Sequence, residues 1–203
     1  MNRNSPLAML DLVFKTENSG LLPKYEEAWD SVKRHYPQGW CYDFWAPNRF
    51  LNRCIYFELI SSKTRGSVLD FACYDGLLVA ALRDAGFDAY GYESFPCWPA
   101  FEALRIKDRV NTRKHCEVVI AFGIAQEFKF EDFLAKIAEE NDGLPEVIFF
   151  DREPTRPTVF NAEYFKPTFL IAHGIQVVKY PNCVSDRSNA ELMIWNKHDP
   201  RKN

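Results

Sequence analysis

The sequence contains no C-x-x-C pair, no cysteine at zinc-ligand spacing from a histidine, no long basic run and no internal repeat. Each absence removes a class of protein. Without paired cysteine motifs, Cys41, Cys54, Cys73, Cys97, Cys116 and Cys183 are expected to be reduced thiols, because a chain of 203 residues needs no disulfide staples. That expectation points to a cytoplasmic setting. No apolar run approaches the roughly 18 residues of a membrane-spanning helix, so no membrane partner is expected. The apolar stretch in MNRNSPLAMLDLVF is interrupted by Asp11 and does not have the form of a secretory leader. The net charge is −3, and the most basic segment, 107–115 (KDRVNTRKH), reads as a solvated helix end or loop. Nucleic acid is therefore not the default partner.

What the chain does have is apolar material. Hydrophobic residues make up 47% of it and aromatics 15%, enough to build the core of one domain with an N-terminal extension. Residues 23–36 (PKYEEAWDSVKRHY) read as a helix with proline at its start, acids early and bases late. A proline-bounded aromatic loop follows at 37–47, and a second helix runs from Pro47 to about Ser62. From residue 66 the pattern changes. Strands are expected at 67–72, 88–92, 117–122 and 146–150, with helices at 77–85, 98–107 and 131–140 between them. Strand, helix and strand within 30 residues is the spacing of a parallel βαβ unit. A helix over 161–172, with Pro167 at a kink or a terminus, leads to two strands at 175–180 and 191–196 that look antiparallel.

The chemistry concentrates in 68–76 (VLDFACYDG) and 91–94 (GYES). A nucleotide site on a parallel sheet needs a sharp strand-to-helix turn, backbone N–H groups facing the ligand, and an acid at the tip of the next strand for the ribose hydroxyls. Here the turn is ACYDG, Gly76 stands just before the helix, and Glu93 lies 23 residues after Asp70.

This segment resembles motifs I and II of the class I S-adenosylmethionine-dependent methyltransferases, whose usual pattern is acid-x-Gly-x-Gly-x-Gly followed by a second acid. Asp70 matches the first acid, Gly76 the last glycine, Glu93 the ribose-binding acid and Ser94 the small polar residue after it. Ala72 and Tyr74 replace the first two glycines. The layout of about 66–197 resembles the family as well, including the closing helix–strand–strand. The resemblance implies an α/β three-layer sandwich with a mostly parallel seven-stranded sheet and an antiparallel last strand. Residues 1–64 would then be a helical arm or lid, and 65–203 the cofactor domain. It implies S-adenosylmethionine as cofactor, contacted by Asp70, Phe71, Ala72, Cys73, Tyr74, Asp75, Gly76, Glu93, Ser94, Ala121 and Phe122. An NAD-dependent dehydrogenase fits less well, because the G-x-G-x-x-G fingerprint is absent.

Two registers are open for the middle strands. In the preferred one, 117–122 is the family's fourth strand and the third is squeezed into the polar residues 108–114. In the other, 117–122 is itself the third. Ligands on such sheets sit at the carboxyl ends of the strands. Glu127 and Asp151 are the leading candidates for a catalytic base, with Glu153 and His173 behind them. No convincing metal-ligand set is present. Trp40, Tyr42, Trp45 and Arg49 are expected to form a lid over cofactor and substrate, or else a cap on the sheet edge. The leading expectation is methyl transfer to a small molecule. The alternatives are a binding or assembly protein on a degenerate methyltransferase fold and, more weakly, a methyltransferase acting on nucleic acid or protein.

Overall fold

Alternation of side chains along each strand sorts the core into two halves. The structure, a computed structural model, describes residues 66–74, 76–84, 86–152, 163–178 and 191–198. The N-terminal arm, including Trp40, Tyr42, Trp45 and Arg49, lies outside the described residues, as do Asp75 and Glu153.

Six strands form one sheet: β1 (Ser67–Phe71), β2 (Asp88–Tyr92), β3 (Val118–Ala121), β4 (Val147–Arg152), β5 (Ile175–Val178) and β6 (Glu191–Asn196). Their order across the sheet is β2-β1-β3-β4-β6-β5. The first four are parallel, and β6 runs antiparallel to both β4 and β5. The α-helices among the described residues are α1 (Leu77–Asp84), α2 (Trp98–Ala103), α3 (Phe130–Glu140) and α4 (Pro167–Ala172).

On one face Val68, Ala89, Val118, Ile120, Phe149 and Ile194 meet Leu78, Val79 and Leu82 of α1 and Ala100 and Phe101 of α2. On the other face Leu69, Phe71, Val119, Ala121, Ile148, Phe150, Met193 and Trp195 meet Phe130, Phe133 and Ile137 of α3. These are odd and even residues of the same strands, as a period of two requires. The result is a three-layer α/β sandwich.

Local signals explain the element ends. Gly76 O accepts the N–H of Ala80 at 3.0 Å, which starts α1. At the other end of α1, Gly86 N donates to Arg83 O and Phe87 N to Leu82 O, the two bonds of a Schellman close. Acidic Glu131 and Asp132 occupy the first turn of α3, where the helix dipole favours them. Pro167 stands at the start of α4, where its missing N–H costs nothing, so the chain from 163 to 172 is a short 3-10 turn at Glu163–Phe165 and then α4 rather than one kinked helix. The helix expected over 98–107 likewise ends at Ala103, and Lys107–Arg109 is a 3-10 turn.

The strand expected between β2 and β3 is reduced to one parallel bridge, Gly91↔Val110. The sheet of described residues therefore has six strands and a bridge where a seventh would stand. Residues after Val110 are polar and exposed, and they offer the sheet no apolar face to bury. With β3 flanking β1 directly and β4 next to it, 117–122 holds the fourth position of the two registers considered.

Candidate functional site

The carboxyl ends of β1, β2 and β3 lie side by side, with Phe71 in register with Tyr92 and with Ala121. Three loops leave from these ends: 72–76, 93–97 and 122–124. Asp70 is buried at the end of β1, 5% exposed, with Gly91 and Ile120 beside it in the ladder.

The first loop has an unusual backbone. Ala72 has φ 64°, Tyr74 φ 59° and Gly76 φ 77°, so alternate residues take the left-handed conformation. Glycine adopts it freely, whereas alanine and tyrosine pay about 1–2 kcal/mol each. These are the three positions at which the acid-x-Gly-x-Gly-x-Gly pattern has glycine. The backbone form of the motif is retained although two of its glycines are not.

Contacts with β2 hold this form in place. Cys73 N donates to Tyr92 O at 2.9 Å, and Gly76 N donates to Cys73 O at 2.9 Å. Cys73 turns its sulfur onto Gly91: a Cβ at residue 91 would lie 2.7 Å from Cys73 Sγ and 3.2 Å from Val79 Cγ2. Only glycine lets strand and loop approach this closely. Tyr74 is half-buried and packs against the cluster containing Cys97 and Phe101.

Glu93 completes the arrangement. Its Oε2 accepts the N–H of Tyr74 at 2.9 Å, and its Oε1 accepts the N–H of Phe95 at 3.1 Å. Its own backbone is clamped by Asn111, whose Oδ1 accepts from Glu93 N at 2.8 Å and whose Nδ2 donates to Glu93 O at 3.0 Å. Among the described residues each carboxylate oxygen accepts one N–H, and a carboxylate oxygen can accept a second hydrogen bond. A half-buried carboxylate at a strand tip, beside a backbone loop, suits the two adjacent hydroxyls of a ribose.

No family profile and no curated protein matches the sequence. Solved structures do resemble it. The chain is similar to the methyltransferase domain of bacterial CtHen1-C, with 11% identity and a TM-score of 0.52 over 71% of this chain and 96% of that one. It is also similar to magnesium protoporphyrin IX methyltransferase from Synechocystis PCC 6803 with bound S-adenosylmethionine, with 14% identity and a TM-score of 0.53 over 82% and 89%. The same enzyme with bound S-adenosylhomocysteine gives 13% identity and 0.52 over 82% and 92%. The fold is that of the class I methyltransferases.

Within the methyltransferase fold, the expected site residues separate into those whose side chains face the loops and those that can offer only backbone. Phe71 is stacked on Tyr92 at 5.1 Å, Cys73 is 3% exposed and Ala121 is fully buried. Phe122 is half-buried against the α1–α2 side, and Ser94 is exposed with its hydroxyl 3.4 Å from Tyr92 Oη. The two candidate bases differ sharply. Asp151 is buried near the end of β4, and its Oδ1 accepts the N–H of Gly123 at 2.6 Å. Glu127 is exposed on the 3-10 turn Ala125–Glu127. His173 lies at the end of α4, its ring 4.5 Å from that of Phe169 and 4.8 Å from that of Phe130.

The bases of the segment 107–115 have partners elsewhere in the domain. Arg109 and Lys114 both reach the Asp88 carboxylate and the Tyr90 hydroxyl, Lys107 meets Glu102, and Arg113 lies 3.9 Å from Glu139. Hydrogen bonding to Lys114 holds the Asp88 carboxyl below its ordinary range, and the same pairing pushes Lys114 up to about 12. The residues that sequence reasoning missed are Gly91, Gly123 and Asn111. Gly91 lies in the 91–94 segment singled out above, but its close approach to Cys73 leaves no sequence signal, and Asn111 sits in a stretch that reads as solvated.

Proposed function

We propose that this chain is an S-adenosylmethionine-dependent methyltransferase acting on a small molecule. The observation that carries the reading is the loop 72–76, which adopts the left-handed form of a three-glycine motif and is closed onto the carboxylate of Glu93. A bound nucleoside calls for a tight backbone loop beside an acid, and this loop supplies both.

The cofactor supplies an electrophilic methyl group on a sulfonium sulfur. In this reading the ribose hydroxyls donate to the second lone pairs of Glu93 Oε1 and Oε2, which the Tyr74 and Phe95 amides hold in place. Asp70 and Phe71 at the end of β1, with Ala72, Cys73, Asp75 and Gly76 of the loop, line the cofactor, and Ser94 stands beside the ribose. Ala121 and Phe122 form the opposite wall. Asp151, bonded to the Gly123 amide, stands at that wall as one of the two candidate bases. Glu127, exposed on the turn after β3, is the other candidate base for a hydroxyl substrate. Residues 1–64, with Trp40, Tyr42, Trp45 and Arg49, form the lid that excludes water from the 65–203 domain, and the protein works in the cytoplasm. Transfer itself needs mainly proximity and in-line orientation.

The small-molecule class is favoured by the paired state of Arg109, Lys114, Lys107 and Arg113, which leaves the basic segment a poor phosphate track. Incubation with methyl-labelled S-adenosylmethionine and fractionated cell extract tests the assignment. Label is expected in the low-molecular-weight fraction. Label in nucleic acid or protein instead would redirect the substrate class.

A second reading has one specific observation behind it, the residues Ala72 and Tyr74 themselves. On that reading the loop is a remnant and Glu93 serves only to hold it, as in a binding or assembly protein. Tight cofactor binding by the native sequence would remove it.

A further inference from the structure

Asn111 does in side chain what a strand would do in backbone. In a parallel ladder that continued past the Gly91↔Val110 bridge, residue 111 would donate its N–H to Gly91 O and accept from Glu93 N, and residue 113 would donate to Glu93 O. The first bond is present, with Asn111 N 2.8 Å from Gly91 O. Asn111 then takes φ 56°, and the chain leaves the sheet. The other two bonds are still made, but by the amide: Oδ1 accepts from Glu93 N at 2.8 Å and Nδ2 donates to Glu93 O at 3.0 Å. Asparagine is the side chain that can do this, because it tolerates the left-handed region and carries one acceptor and one donor at peptide spacing. The chain uses the same device once more: Asn141 Oδ1 accepts from Cys116 N at 2.9 Å and its Nδ2 donates to Cys116 O at 3.0 Å.

The two clamps differ in what they hold. Asn141 is fully buried and fixes the entry to β3, a structural task. Asn111 is exposed and fixes the one residue whose carboxylate closes on the loop at Tyr74. We infer that Asn111 is a positioning residue for the nucleoside end of the cofactor: it replaces the missing third strand and aims Glu93. This rests on the cofactor reading proposed above.

Asn111→Gly is the discriminating variant, because glycine accepts φ 56° and loses only the amide. In the ligand-free full-length chain, hydrogen exchange of the Tyr74 and Phe95 amides reports whether the Glu93 carboxylate is still aimed. Both are expected to exchange about tenfold faster, while amides in β3 and β4 and the thermal midpoint stay as in the wild type. Calorimetry with S-adenosylhomocysteine is expected to show binding about tenfold weaker. Wild-type exchange at Tyr74 together with wild-type affinity would overturn the inference, as would a general loosening of the sheet with no selective effect at Tyr74 and Phe95. A wild-type chain that binds no S-adenosylhomocysteine is a different failure, that of the cofactor reading, and it is seen without the variant. The exchange result then still decides whether Asn111 aims Glu93.

Discussion

The carboxylate of Glu93 and the backbone of Tyr74 are joined by one hydrogen bond of 2.9 Å, and Tyr74 is held there at φ 59°. A residue that dislikes its conformation is kept in it by the acid expected to bind ribose. Loop geometry and cofactor acid are therefore one unit, and changes to either should be felt by both.

The strain at the other substituted position gives the first prediction. Ala72→Gly removes a left-handed alanine at φ 64° and returns some entropy to the unfolded chain. The balance is expected to stabilise the protein by about 0.5–1 kcal/mol, read as a higher urea midpoint at unchanged slope. Cofactor affinity should not fall.

Close packing of loop on strand gives the second. In Gly91→Ala the new methyl would lie 2.7 Å from Cys73 Sγ, so the loop must shift. Destabilisation of about 1–3 kcal/mol is expected, together with weakened cofactor binding. Combining it with Cys73→Ala should recover part of the loss, because the sulfur is the nearest obstacle. A double-mutant cycle measures that coupling.

Much of this arrangement could be read from the residues. The mostly apolar stretch at 67–72, the turn ending in Gly76 and the acid at 93 mark β1, the loop and the tip of β2, and all three stand where periodicity and spacing put them. What could not be read follows from interactions that leave no periodic trace. The third strand is one bridge and an asparagine side chain, and no hydrophobic pattern records a side chain doing backbone work. β4 runs past its apolar residues to Asp151 and Arg152 because Leu192 and Glu191 of β6 continue the ladder there. The left-handed angles at Ala72 and Tyr74 are likewise invisible, since neither residue type suggests them.

Asn141 and Tyr164 test the buried polar contacts. Tyr164 Oη is buried and lies 2.8 Å from Ala125 O and 3.2 Å from Phe128 O, so it ties the segment after β3 to the core. Tyr164→Phe removes the hydroxyl proton shared by those carbonyls, of which Ala125 O also accepts the Phe128 N–H, and is expected to cost about 1–2 kcal/mol in thermal or urea unfolding. Asn141→Ala strips Cys116 N and O and Gly143 O of their partners and is expected to cost more, about 2–4 kcal/mol.

Two pH responses follow from the outer cluster and the core. Asp88 has its carboxyl lowered from the ordinary 3.8, chiefly by the hydrogen bond from Lys114. A depressed carboxyl contributes stability above the unfolded value and loses it as pH falls through the folded one. The small loss in Asp88→Asn should therefore be constant above pH 3.8 and close below it, followed by thermal midpoint against pH. Burial pushes the Cys116 thiol up to about 11, so it should resist iodoacetamide in the native protein at pH 8 and react only once the chain unfolds.

The central claim is that the Glu93-closed loop binds S-adenosylmethionine. Calorimetric titration of the wild-type chain with S-adenosylmethionine and with S-adenosylhomocysteine tests it most directly, with Glu93→Ala alongside. Micromolar binding of both ligands by the wild type, abolished in Glu93→Ala, is the expected result. No heat with either ligand in a folded wild-type chain, or binding that survives Glu93→Ala unchanged, would contradict it.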